Sequence, residues 1–156
     1  MIYMVGVNSN YYCWGEYMEK YEDNLINLLY EKQNMLKKQK EDQWNHSNSI
    51  PITNTEWCIL SLIYGKQPTI PEITQQLGIS RQATHKSIKT LDSKGLISIY
   101  RVENNNRNKC LSLTSFGEAC YLKNQQLKEE IEKEISQKIG DENITLLKEL
   151  LKRDWI

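Results

Sequence analysis

Along this chain the spacing of apolar positions changes several times, and each change marks an element. From residue 11 to 43, Trp14, Met18, Tyr21, Leu25, Leu28 and Met35 fall mostly three or four apart, with no proline among them. That spacing predicts one long helix, with Gly15 weakening its first turn. A stripe this long suits either a partner helix or the cover of the chain's own core. Residues 44–52 (WNHSNSIPI) predict a loop. Thr53 and Glu56 then stand at capping-box spacing. Trp57, Ile59, Leu60, Leu62 and Ile63 follow in a largely buried helix, closed by Gly65 and Pro68.

Thr69 and Glu72 repeat the capping box, with Pro71 in the first turn, and open a short helix carrying Ile73 and Leu77. Gly78 suits the left-handed residue that ends a helix. Ser80 is a good N-cap for a helix from Arg81 to Lys94, with Thr84, Ile88 and Leu91 on one face and Gly95 as the stop. The β-branched and aromatic run Leu96–Val102 reads as a strand. Residues 103–108 (ENNNRN) read as a turn, and residues 109–114 (KCLSLT) as a second strand. Helix returns over 115–139, with Phe116, Cys120, Leu127, Ile131, Ile135 and Ile139 on one side. After Gly140-Asp141, a last helix over 142–154 carries Ile144, Leu147, Leu150 and Leu151.

The expected fold is mainly α with a small β-hairpin, an α+β arrangement. Short helix, tight turn, helix and hairpin in that order make a winged helix-turn-helix. Three parts follow: an N-terminal helix and linker over 1–52, the winged domain over 53–114, and C-terminal helices over 115–156. With Thr84, Ile88 and Leu91 inward, the outward face presents Arg81, Gln82, His85, Lys86 and Lys89. Those side chains suit base edges and phosphates, and the helix N-terminus favours a phosphate near Ser80. A solvated helix face has the same composition; the adjoining turn and hairpin favour the DNA reading.

Charge at first opposes it. The chain holds 20 Lys and Arg against 20 Asp and Glu, a net charge of zero, whereas phosphate binding wants a basic protein. Between Arg81 and Lys109, however, seven basic residues face two acidic ones, so that segment carries +5 and the remainder −5. A compact basic patch is the footprint of nucleic-acid binding. No apolar run approaches the roughly 20 residues of a membrane span, and Met1–Val7 lacks a basic leader and a cleavage site. A cytoplasmic protein is expected, with Cys13, Cys58, Cys110 and Cys120 as free thiols. Without a C-x-x-C pair, and with only His46 and His85, no metal site is expected. No cofactor is implied either. No nucleophile–base pair or phosphate-binding loop points to an enzyme.

The stretch from Thr53 to Gly117 resembles the MarR family of winged-helix transcription regulators, most closely in ISRQATHKSIKTLDSKGLI and in the closing LSLTSFG. The resemblance implies a homodimer whose terminal helices interleave. The second motif helix would lie in the major groove, with Ser80 to Lys86 (Ala83 included) as reader. The wing would lie in the minor groove, with Arg107 at its tip beside Asn105 and Asn106. It implies a pseudo-palindromic double-stranded operator, and a repressor released by a small apolar or aromatic effector. The sequence departs from the family where the wing pattern Asp-x-Arg has Asn105 for Asp, since Asn forms no ion pair with the arginine. Ser87 is smaller than the apolar residue usual there. Tyr17, Tyr21, Tyr30 and Trp57 are candidate walls of an effector pocket; aromatics at helical spacing also make core or dimer interface. Some relatives sense oxidants through a cysteine in the first helix, which makes Cys13 a candidate sensor or an inert thiol. Cys58, Cys110 and Cys120 read as packing residues. A winged module that binds protein instead of DNA is the rival reading.

Overall fold

The computed structural model describes residues 24–102 and 105–156. Helix α1 (Leu25–Ser47) is followed by α2 (Asn54–Ile63), α3 (Ile70–Leu77), α4 (Arg81–Ser93), β1 (Ile97–Val102), β2 (Asn105–Leu113), α5 (Ser115–Ile139) and α6 (Asp141–Leu151). The architecture is mainly helical with one antiparallel hairpin, as expected. The chain divides into two compact units, Met1–Leu36 and Lys37–Ile156. In the first, Leu25, Ile26, Leu28, Tyr30 and Met35 are exposed. Trp14, Met18 and Tyr21 of the expected stripe lie outside the described residues.

In the second unit, α1 runs on to Ser47, past the expected end at 43. Trp44, expected to open a loop, is instead helical and buried. Its ring meets Trp57 edge-on, with centroids 4.7 Å apart and planes at 84°. Its Nε1 donates to Ile50 O at 2.9 Å, and Lys123 Nζ stands 5.9 Å over the ring. Asn and Ser are weak helix formers, but burying an indole with its N–H satisfied outweighs a few tenths of a kcal/mol of propensity.

Both capping boxes form. Thr53 and Glu56 exchange bonds at the start of α2, as do Thr69 and Glu72 at α3. Hydrogen bonds from the Thr69 backbone, and then its side chain, hold the Glu72 carboxyl below its ordinary range. Trp44, Ile52, Trp57, Ile59, Leu60, Ile63, Ile73, Ile88, Leu91, Leu96 and Leu111 build one core.

The hairpin pairs Ile97 with Leu113, Ile99 with Leu111 and Arg101 with Lys109. Residues 105–108, expected in the turn, belong to β2 instead. Asn tolerates turn geometry without requiring it, and here Val102 pairs with Asn105 across a register break. Leu111 N also donates to Pro68 O at 3.0 Å, and Thr69 bridges Cys110, so the stretch before α3 borders β2. At the other end of the wing, Thr114 caps α5 by accepting from Gly117 N at 2.9 Å. α6 ends at Leu151, earlier than the expected 154. Among the described residues no helix is long and apolar enough to cross a membrane.

Cys110 and Cys120 are buried as expected, and burial pushes the Cys120 thiol up. Cys58 is exposed, contrary to its reading as a packing residue. α2 turns Trp57, Ile59, Leu60 and Ile63 inward, and Cys58 and Ser61, three apart, share its open side. In a Cys13→Ser background, a thiol reagent is expected to react quickly with one thiol of the native protein. Cys58→Ser should abolish that phase, with Cys110 and Cys120 reacting only on unfolding; equally fast reaction at Cys110 would contradict its burial.

Candidate nucleic-acid interface

The helix-turn-helix is built from a short helix, a three-residue turn and a capped second helix. Gly78 ends α3 in the left-handed conformation, at φ 62°, where a side chain is strained. Ile79 is half-buried. Ser80 then caps α4 by accepting from Ala83 N at 3.2 Å. Thr84 Oγ1 donates back to Ser80 O at 3.2 Å, which satisfies a hydroxyl that is fully buried.

The faces of α4 divide as the spacing predicts. Thr84, Ile88 and Leu91 are buried. Ser80, Arg81, Gln82, Ala83, His85, Lys86 and Lys89 are all exposed, and Ser87 is half-buried. The open face thus carries three full positive charges, Arg81, Lys86 and Lys89, and a neutral amide that can donate and accept.

Not every base in the +5 segment reaches this face. Lys94 turns inward instead. Its Nζ lies 2.8 and 2.9 Å from the two carboxylate oxygens of Glu56 and 2.7 Å from Pro51 O. Glu56 is 3% exposed, so this ammonium neutralises a buried carboxylate and ties the end of α4 to the start of α2. A charge count along the sequence cannot separate it from Lys86 or Lys89.

Asn105, Asn106 and Arg107 lie on β2 at the far end of the hairpin. Because Val102 pairs with Asn105 and Arg101 with Lys109, residues 106–108 stand opposite a single backbone step. β1 lies against α4, which joins wing and helix within one unit.

Tyr30 is exposed in the first unit, whereas Trp57 is 2% exposed and packed on Trp44 in the core of the second. Tyr17, Tyr21 and Cys13 lie outside the described residues. Between α1 and α5 a shallow pocket is lined by Asp42, His46, Leu127, Glu130 and Glu134; its acidic walls suit neither a phosphate nor an apolar guest. Among the described residues no cluster of His, Cys, Asp and Glu is placed to hold a metal.

Residues 50–107 match the model of the MarR family. The fold is similar to that of wild-type MarR from E. coli in its apo form, with TM-score 0.73 and 19% identity over 85% of this chain and 97% of that one. It is similar to Streptococcus pneumoniae FabT in complex with DNA, with TM-score 0.69 and 20% identity over 81% and 90% of the two chains. NadR in complex with 4-hydroxyphenylacetate has TM-score 0.62 and 26% identity over 85% and 92%. No curated protein matches the sequence significantly.

Proposed function

From a chain whose residues 50–107 match the MarR family, and whose fold is that of its winged-helix regulators, we propose a sequence-specific regulator of transcription that binds double-stranded DNA. It acts as a repressor that a small-molecule effector releases. The observation that carries this reading is the open face of α4, where Arg81, Gln82, Lys86 and Lys89 stand exposed on a helix anchored by its opposite face. Arg81 and Lys86 are of a length for guanine edges or phosphates, Gln82 for adenine, and Ala83 for a thymine methyl. Ser80 holds a phosphate at the helix N-terminus, with His85 and Lys89 flanking. Asn105, Asn106 and Arg107 take the minor groove.

A homodimer doubles this small patch. On α6, Leu146, Leu147, Leu150 and Leu151 are all exposed. An apolar strip of that kind marks an association surface. Two copies would read a pseudo-palindrome with half-sites about one helical turn apart. An apolar or aromatic effector would act by changing the spacing of the two α4 helices, so that both no longer fit successive grooves. The free thiols suit a cytoplasmic location.

The test is salt dependence of binding to a duplex selected from a random pool. Arg81→Ala with Lys86→Ala removes four phosphate-range charges from a dimer, so the slope of log K on log salt should flatten by about 3 to 4. Both side chains are exposed, so stability should change by less than about 0.5 kcal/mol. Absence of any duplex binding by the wild-type protein at low salt overturns the proposal in favour of a winged module that binds protein.

A further inference from the structure

Cys58 is exposed on α2, and its surroundings are set by α1 and α5. Asn54, one turn earlier on α2, donates through Nδ2 to Glu41 Oε2 at 2.9 Å and to Lys37 O at 3.5 Å. One turn further along α1, Trp44 meets Trp57. Between these contacts α1 carries Lys40, whose half-buried ammonium acts electrostatically on Cys58. α5 runs antiparallel to this part of α1. Gln39 Nε2 donates to Glu134 Oε2 at 3.0 Å, and Lys123 stands over Trp44. That register sets Lys128 level with Lys40. Burial, and then the charge of Lys128, push the Lys40 ammonium below its ordinary value. Among the described residues neither lysine has a carboxylate within ion-pair distance. Glu41, next along α1, is engaged by Asn54.

The same seam holds polar atoms that the fold leaves unpaired. Asn124, one turn before Lys128, is fully buried, and neither its Oδ1 nor its Nδ2 has a partner. Asn54 Oδ1 and Trp57 Nε1, on α2 near Cys58, are buried and unpaired as well. Such atoms are normally bonded, and leaving them unmet is costly. The seam therefore offers an open thiol, two positive charges without counter-ions, and donors and acceptors for amide groups. We propose that Cys58 is a site of reversible thiolation by a small, acidic, peptide-like disulfide. Lys40 and Lys128 attract the carboxylates of the disulfide, and its amides pair with the carboxamides of Asn54 and, deeper in the seam, Asn124. The Cys58 thiol loses its proton to water, and its sulfur attacks one sulfur of the disulfide. A new S–S bond forms at Cys58 Sγ as the old one breaks. The leaving half departs with the electron pair and takes up a proton. Cys58 is thus oxidised to a mixed disulfide while half of the reagent is reduced to a thiol, and excess thiol reverses the step. The site is independent of the DNA-binding reading of α4.

Two disulfides of opposite charge test it, glutathione disulfide as the acidic peptide and cystamine as a dication. Adducts are followed by intact-mass spectrometry at low salt and neutral pH, on the full chain carrying Cys13→Ser. Relative to the same chain unfolded in urea, the native protein should favour glutathione disulfide over cystamine, and Cys58→Ser should remove the adduct. Lys40→Gln with Lys128→Gln should slow glutathione disulfide and speed cystamine, shifting the ratio of the two rates by about tenfold. A change in thiol ionisation alone would move both reagents the same way and leave that ratio fixed. Asn124→Leu should slow the glutathione reaction by about fivefold, the worth of one hydrogen bond. Salt at about 1 M should erase the preference without the lysine substitutions. A native preference for cystamine, a ratio that ignores the two lysines or salt, or an equally fast adduct in Cys58→Ser overturns the site. An Asn124→Leu chain that reacts as fast as its parent overturns the peptide-like recognition.

Discussion

Gly117→Ala is expected to destabilise the protein by about 3 kcal/mol, at the upper end for a methyl forced into a packed site, lowering its thermal midpoint by about 10 °C. A Cβ at Gly117 would lie 1.9 Å from the carbonyl oxygen of Leu96, 2.8 Å from its carbonyl carbon and 3.2 Å from its Cα. All three are backbone atoms, so no side chain can rotate away. The backbone that must move is the one that organises the wing. Leu96 O accepts from Thr114 N at 3.1 Å, and Thr114 Oγ1 donates to Gly95 O at 2.6 Å while capping α5 at Gly117 N. The end of α4, the start of β1 and the start of α5 thus converge on one contact. Relief of the clash would loosen all three and shift the wing relative to α4. Ser115→Ala, two residues away on an exposed side chain, is the control and should be nearly neutral. Denaturant melts of the two variants decide it; a Gly117→Ala protein as stable as the wild type would mean that helix and strand do not approach this closely.

Lys94→Met should cost about 3 kcal/mol, because it leaves the buried Glu56 carboxylate without its counter-charge. That carboxylate is 3% exposed and keeps only the Thr53 N–H, at 2.7 Å, once the ammonium is gone. Adding Glu56→Gln to the same chain should restore most of the loss. A glutamine oxygen still accepts from Thr53 N, as in the Gln form of the capping box, and leaves no charge to desolvate. The two changes are therefore strongly non-additive, as expected for groups in direct contact. Urea midpoints for the wild type, both singles and the double give the coupling; additive losses would show that the pair is not formed. Because Lys94 is committed to this contact, its replacement should leave the salt slope of DNA binding unchanged while Lys89→Ala flattens it.

Much of the helix-turn-helix is legible in the order of residues alone. Gly78, Ser80 and the two capping boxes act over three or four residues, and each does what its spacing predicts. The two faces of α4 follow from the helical period, and the bounds of α5 match the expected 115–139. The departures share a different origin. Trp44 reads as loop because its neighbours are Asn and Ser, yet Trp57, thirteen positions on, gives it a ring to pack against. Cys58 reads as buried because its helix is apolar, but an apolar helix still has the side its neighbours leave open. Residues 105–108 read as turn from composition, while β2 begins at Asn105, which pairs with Val102 across the register break.

By itself, then, the sequence determined what depends on near neighbours: where helices begin and stop, which face of α4 is wet, where the hairpin lies, and hence a winged helix-turn-helix whose second helix has a basic open face. Caps, turns and periodicity are interactions between residues a few positions apart, so their outcome is written locally. Only the tertiary structure decided which charges remain available and which backbones touch. Lys94 is withdrawn from the basic face by a carboxylate 38 residues away. Gly117 is indispensable because of a carbonyl on another element. Each of these turns on a distance between segments far apart in the chain, and folding alone sets that distance.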